Sequence, residues 1–387
     1  INYYEDSADE LAIINYTSGT SGFSKGVMIP YRAVRSNMEF AKVVLPQMNN
    51  TSRVVSMLPS AHMYGLMFEV LYELSCGCHV FFLSRLPSPK IIMQALAEVK
   101  PTLVIAVPLI IEKIYKSKVK PVIETAGMRF ALKLPILEQV IMNKIKTELV
   151  NAFGGEFYEV IIGGAAFNKE VEAFFKRMEF PFTVGYGMTE CAPIITYDDY
   201  KTAKLFSCGK IVPNMEMMVD SPDPQNIPGE LLVRGANVFL GYYKNEEATR
   251  EVLDADGWLH TGDMGIIDAD GYLFLRGRSK CMILGPSGQN IYPEEVEAVL
   301  DTRPYVLESL VIEDNGGLTA LIYPDFDTAA KEGMDQATFI KYIEDTLPEV
   351  NKELPNYAKL KKIEVMSEAF ERTPKKSIKR YLYQRNS

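Results

Sequence analysis

At 387 residues, 47% hydrophobic and 24% charged, the chain has the composition of a soluble globular protein with room for two or three packed domains, which excludes the disordered and fibrous classes. Its net charge of -9 argues against a long-range field that gathers nucleic acid or an acidic membrane, so any polyanion must be held by a local site. The longest apolar run, TLVIAVPLII from Thr102, is interrupted by Pro108, is too short to span a bilayer, and no charged-then-apolar leader opens the chain. A cytoplasmic protein without a transmembrane segment is expected, with peripheral membrane contact left open and oligomeric state unassigned. The chain starts at Ile1 only a strand's length before its first motif, so a processed or truncated chain is expected.

In chain order, LAIIN (11–15) reads as a short buried strand and GVMIP (26–30) as a second, closed by Pro30. Between Tyr16 and Lys25 lie five hydroxyl residues and two glycines. The strand-loop-strand order, with no helix directly behind Lys25, disfavours the G-x-x-x-x-G-K-[S/T] phosphate loop. What remains is a loop of Thr17, Ser18, Gly19, Thr20, Ser21 and Gly22 followed by Lys25. Its hydroxyls, close-approaching backbone N–H groups and one ammonium suit a polyphosphate. A flexible Ser/Thr/Gly linker is the bland alternative, and flanking apolar strands weigh against it.

This YTSGTSGFSKGV run resembles the phosphate loop of the adenylate-forming (AMP-binding) enzymes, a group that includes acyl-CoA synthetases, luciferases and the adenylation domains of peptide synthetases. Further along, LPSAHMYGL fits the long-chain fatty acid–CoA ligase branch, and the resemblance implies that His62 lies near an acyl tunnel, a satisfied core histidine being the alternative for a lone His among apolar residues. Met57, Met63 and Met67 read as core at helical spacing rather than as a pocket lining. CGCH (76–79) looks metal-like but runs straight into VFFL and is read as a buried strand. SPKIIMQALAEVK is expected to be an amphipathic helix with Ser88 as its cap and Pro89 at its start. EVIIGGAAF places Gly163, Gly164 and Ala165 at the end of an apolar strand, where small residues leave room for a purine.

VGYGMTECAPII (184–195) resembles the second core motif of the same family. The resemblance implies that Tyr186, beside Gly187, packs on adenine, that Thr189 holds the α-phosphate, and that Glu190 binds Mg²⁺, for which a carboxylate is a suitable hard ligand. In DGWLHTGDMGIIDADGYLFLRGRSK it implies that Asp263 grips the ribose hydroxyls, that Arg278 reaches ribose or phosphate, and that Lys280 is a hinge. DADG (268–271) reads as a hairpin turn. GQNIYPEEVE has the look of the long-chain branch and opens a helix at Pro293 with Glu294 and Glu295 in its first turn. EEVEAVLDTRP and MDQATFIKYIEDTLPEVNKEL read as helical. Near the C-terminus, ERTPKKSIKRYLY aligns the family's catalytic lysine position with Ser377, leaving Lys376 and Lys379 as candidate amines.

The implied fold class is α/β: a large multi-subdomain adenylate-forming domain (1–279), incomplete at its N-terminus, followed by a smaller, mobile α+β domain (280–387). The implied reaction is ATP-dependent activation of a medium- or long-chain fatty acid to an acyl adenylate, then transfer to coenzyme A, with ATP, Mg²⁺ and CoA as cofactors, small molecules as partners and no nucleic acid. Transfer to a carrier protein's phosphopantetheine uses the same residues. A nucleotide-binding protein with little catalysis is the alternative of another class.

Overall fold

Three short segments, Val104–Ala106, Val160–Ile162 and Phe182–Val184, form a parallel sheet in which every residue is buried. Their continuous apolar or β-branched content is what a strand covered on both faces requires. They lie at the centre of the first of two units into which the chain divides: residues 1–227, 231–261 and 266–274 in the first, and 228–230, 262–265 and 275–387 in the second. The computed structural model describes residues 7–18, 24–84, 87–285, 289–372 and 378–385.

Helices Pro89–Val99, Pro135–Ala152 and Lys169–Arg177 close over this sheet with Ile92, Leu96, Ile145, Leu149 and Phe175 in one core. As expected, Pro89 stands in the first turn of its helix and the Ser88 side chain caps it, accepting from Ile91 N at 3.4 Å. The two expected strands run Leu11–Ser18 and Ser24–Pro30, each longer than the apolar runs that announced them, and they pair antiparallel with Ser18 opposite Ser24. A third strand, Gly241–Tyr242, adds to the free side of the second, Tyr242 opposite Val27. Met57, Met63 and Met67 are core. The stretch after Cys76 departs from expectation. His79–Phe82 is a strand, paired in parallel with Arg53–Ser56, yet Phe81 and Phe82 are exposed. Among the described residues no strand pairs with its outer edge, and an edge strand hides less of its side chains than a central one.

The helical run 63–75 carries two buried carboxyls, Glu69 and Glu73. Glu69 accepts from Leu58 N at 2.9 Å, Met57 N at 3.2 Å and Ser56 Oγ at 3.2 Å, fixing the turn that leads to His62. Neither oxygen of Glu73 accepts a hydrogen bond of ordinary geometry. Burial pushes both up to about 8, against the N–H donors at Glu69 and the Cys78 thiol at Glu73. Because the folded value is raised, the native chain keeps a proton that the unfolded chain releases near 4.5. That stability is present at pH 4.5 and below, and is lost as pH rises towards about 8. Melting temperature is therefore expected to fall between pH 5 and 8, and Glu73→Leu is expected to flatten the decline. An equally steep decline in thermal melts of the variant would assign the pH dependence to other groups.

In the second unit, Val306–Asp314 pairs antiparallel with Gly317–Pro324, which pairs in parallel with Leu360–Val365. Asn315 and Gly316, both at positive φ, make the tight turn between the first two. Helix Pro293–Leu300 packs Val296 and Leu300 into this core. The stretch 334–354 forms two helices, Gln336–Glu344 and Leu347–Glu353, with Pro348 in the first turn of the second. The protein is thus α/β in its large unit and α+β in its small one. Among the described residues no helix is long and apolar enough to cross a membrane.

Candidate functional site

The carboxyl ends of the parallel strands are where an α/β sheet offers a ligand its opening. Gly163 N donates to Ala106 O at 3.1 Å and Gly185 N to Ile162 O at 2.9 Å, so the Gly163–Gly164 turn and the 185–187 segment emerge side by side from neighbouring strands. Ala165 follows them on the surface. Tyr186 and Gly187 pair with Thr196 and Ile194. Gly187 is required by space: a Cβ there would lie 2.1 Å from Pro193 O. Behind these glycines is a narrow, almost wholly apolar cleft with a cavity volume of about 60 Å³. Phe40, Val44, Tyr64, Phe68, Tyr186 and Ile194 are among its walls. Tyr64, held by its hydroxyl donating to Ile161 O at 3.1 Å, faces it, whereas His62, at the start of the same helix, is not among its lining residues.

The opening hairpin supplies the next group. Thr17 stands opposite Lys25 on paired strands, and Ser18 closes the described part of the first strand. Gly19, Thr20, Ser21 and Gly22 lie outside the described residues. Lys25 Nζ sits 4.7 Å from the centre of the Tyr242 ring. The Tyr242 hydroxyl donates to Glu190 Oε1 at 2.9 Å. Glu190 is buried in the one-turn helix Thr189–Cys191, whose end is tied by Phe239 N donating to Glu190 O at 2.9 Å. The structure thus connects Lys25 to Glu190 through one phenol ring. Burial, then the Glu190 charge, raises the Tyr242 hydroxyl far above its usual range, so it remains a proton donor. The sequence reading omitted Tyr242. The available clue is GYYK, two aromatics after a glycine, which acquires meaning only once the strand is seen beside Val27.

Glu190 also passes a test for a divalent cation. Its Oε1 accepts a hydrogen bond from a neutral phenol, and among the described residues no ion pair to the carboxylate is seen. A negative, oxygen-only donor of this kind fits Mg²⁺, whose remaining ligands would be phosphate oxygens and water.

In the second unit, Asp263 is buried and paired with Arg278, Nε to Oδ1 at 3.2 Å. Gly262, next to it, donates its N–H to Glu230 at 3.0 Å and accepts from Ser279 Oγ at 3.2 Å, which fixes the backbone on that side. Lys280 is exposed in the short turn Ser279–Cys281. Towards the C-terminus, Arg372 bridges Ile378, and Lys379 Nζ lies 3.1 Å from Glu371. Arg380 pairs with buried Glu297, which also accepts from Val311 N at 2.7 Å. Burial is the largest influence on Glu297 and lifts it to about 7 despite Arg380. Lys376 lies outside the described residues.

Residues 3–243 match the AMP-binding enzyme family, and residues 282–386 match the C-terminal domain of AMP-binding enzymes. Long-chain-fatty-acid–CoA ligase ACSBG2 of Rattus norvegicus is 28% identical over 344 residues, covering 81% of this chain and 51% of that protein. Probable 4-coumarate–CoA ligase 1 of Dictyostelium discoideum is 30% identical over 316 residues, covering 79% and 52%. The chain thus spans about half the length of the curated relatives it matches. Among solved structures, O-succinylbenzoate coenzyme A synthetase (MenE) from Bacillus subtilis, in complex with ATP and magnesium ion, superimposes with a TM-score of 0.75. It is 23% identical, with 97% of this chain and 70% of that one covered.

Proposed function

The chain belongs to the AMP-binding enzyme family, and from that premise we propose that it activates a carboxylic acid with ATP and passes the acyl group to the thiol of coenzyme A, the acid being a medium- or long-chain fatty acid. The observation that carries the choice of acid is the apolar cavity behind Gly163, Gly164, Tyr186 and Gly187. Relatives are named for acids as different as fatty acids and coumarate, so wall chemistry is the better guide, and walls without charge suit an alkyl chain. Residues 1–279 serve as the adenylation domain and 280–387 as a domain mobile about Lys280, in a cytoplasmic setting.

In this reading the acid's carboxylate attacks the α-phosphate, pyrophosphate leaves, and the CoA thiolate then displaces AMP from the acyl adenylate. Negative charge grows on phosphoryl oxygens in the first step, and fixed donors are most effective there because they need no reorganisation. Lys25, Thr17 and Thr189 are assigned as such donors, and the hydroxyls of Ser18, Thr20 and Ser21 are assigned to the phosphates with them. The Tyr242 ring restrains Lys25 while its hydroxyl orients Glu190. Glu190 would hold Mg²⁺, which would supply further neutralisation of phosphate charge. Tyr186 and the small residues 163–165 receive the base, and Asp263, steadied by Arg278, receives the ribose hydroxyls.

A second reading, nucleotide binding with little catalysis, is favoured by Ser377 at the position of the family's lysine and by the engagement of Lys379 with Glu371. Pyrophosphate release with ATP, Mg²⁺ and acids of increasing chain length, with and without CoA, separates the two. Release is expected to depend on a fatty acid. Lys376→Ala is expected to lower it ~10²-fold, as loss of one charged donor does, and Lys379→Ala to change it little. ATP binding without acid-dependent release would establish the second reading.

A further inference from the structure

The helix Pro135–Ala152 is apolar on two opposite sides. Met142, Ile145 and Leu149 are buried in the core of the first unit. Ile136 and Val140, on the other side, are 82% and 62% exposed, with Leu137 also exposed. At 100° per residue the centres of these two stripes lie about 170° apart, so the outer stripe is not the margin of the inner one. An apolar helix face that none of the described residues covers is unusual enough to need an occupant. The preceding helix Ala126–Ala131 and its turn extend this face: Phe130 is 67% exposed, Leu134 is exposed, and Lys133 N and Glu138 N donate to Phe130 O and Leu134 O, making the segment continuous.

Charge identifies the occupant. Residues 109–148 hold eight Lys and Arg against four Glu, a balance of +4 within a chain of net -9, so the remainder carries -13. Arg129, Lys133 and Lys144 are exposed around the apolar side chains, and none of the three is ion-paired among the described residues. Glu138 points the other way, to Arg177 at 2.6 Å. Glu148, near the helix end, is the acidic residue on the outer side. A second copy of the same face would set lysine against lysine. Exposed apolar side chains ringed by basic ones are the composition of a helix that lies in a lipid interface.

We infer that the 126–148 face docks on an anionic membrane surface, with Phe130, Ile136 and Val140 entering the acyl boundary and Arg129, Lys133 and Lys144 meeting headgroup phosphates. The inference rests on this surface alone and stands whether or not the acyl-transfer reading does.

The test is co-sedimentation with vesicles of phosphatidylcholine, alone or mixed with phosphatidylglycerol. The protein is expected to pellet with the mixed vesicles, less so as salt is raised, and not with phosphatidylcholine alone. Ile136→Ser/Val140→Ser and Lys133→Glu/Lys144→Glu are each expected to weaken binding more than ~10-fold with thermal melts unchanged, since all four side chains are exposed. Failure to bind mixed vesicles, or binding indifferent to both variants, would overturn the inference. So would a concentration-dependent dimer that the same substitutions dissociate, because the face would then be taken by a second copy.

Discussion

Glu190→Gln is expected to lower acid-dependent pyrophosphate release by ~10²–10³-fold, the scale of losing one preorganised electrostatic contact at a reacting phosphate. The substitution is informative because it changes charge and almost nothing else. The Gln side-chain oxygen can still accept from the Tyr242 hydroxyl, now at 2.9 Å from Glu190, so the ring and Lys25 above it keep their places. The melting temperature should hold, and the lost rate should not return at saturating ATP. Tyr242→Phe is the complement: it keeps the ring for Lys25 and the charge on Glu190 but removes the hydrogen bond between them. It is expected to cost about tenfold, in line with a net hydrogen bond to a charged group of roughly 1.5 kcal/mol. Release by Glu190→Gln within a few-fold of the parent would remove Glu190 from the reaction.

Gly187→Ala is expected to act through structure instead, destabilising the first unit by about 3 kcal/mol or more and abolishing ATP binding. The new methyl would sit 2.1 Å from Pro193 O and 2.8 Å from Pro193 C, both backbone atoms. No rotamer relieves that contact. The 186–187 strand has to leave its partner at 194–197, carrying with it Tyr186 and the one-turn helix of Thr189 and Glu190. Gly127→Ala is the control. It lies in the helix Ala126–Ala131 with nothing within 4 Å of its Cβ position, so the same change there is expected to be neutral or stabilising by about 0.5–1 kcal/mol. Equal melting temperatures for the two variants would show that strand 186–187 yields easily.

Where the sequence could be read, the signal was local. The strand pair around the hydroxyl-rich loop, the Ser88 cap, the Asp268–Gly271 turn and the glycines ending Val160–Ile162 each depend on residues within one element or one turn. What escaped depends on distant partners. Tyr242 matters because it pairs with Val27 and touches Lys25 and Glu190, and nothing near position 242 announces either neighbour. Glu69 and Glu73 are buried by packing against residues outside their own helix, and nothing in the local sequence marks that burial. The exposure of Phe81 and Phe82 reverses the expectation for an apolar run because period and composition report that a strand forms, not how many neighbours it has. Of the two nominated lysines, Lys379 is paired with Glu371, a contact between residues eight apart that the order of residues in the motif does not announce.

The three-stranded arrangement of Leu11–Ser18, Ser24–Pro30 and Gly241–Tyr242 also sets an order of events during synthesis. The first two strands leave the ribosome together, but the strand that seals the edge of Ser24–Pro30 arrives more than two hundred residues later. Until then that edge, with Val27 and Ile29 destined for full burial, offers unpaired backbone groups to any extended chain nearby. A nascent chain stalled before Tyr242 therefore has a sticky, half-finished hairpin and no phenol to restrain Lys25. Folding through such distant contacts is slow, which prolongs the exposure of that edge.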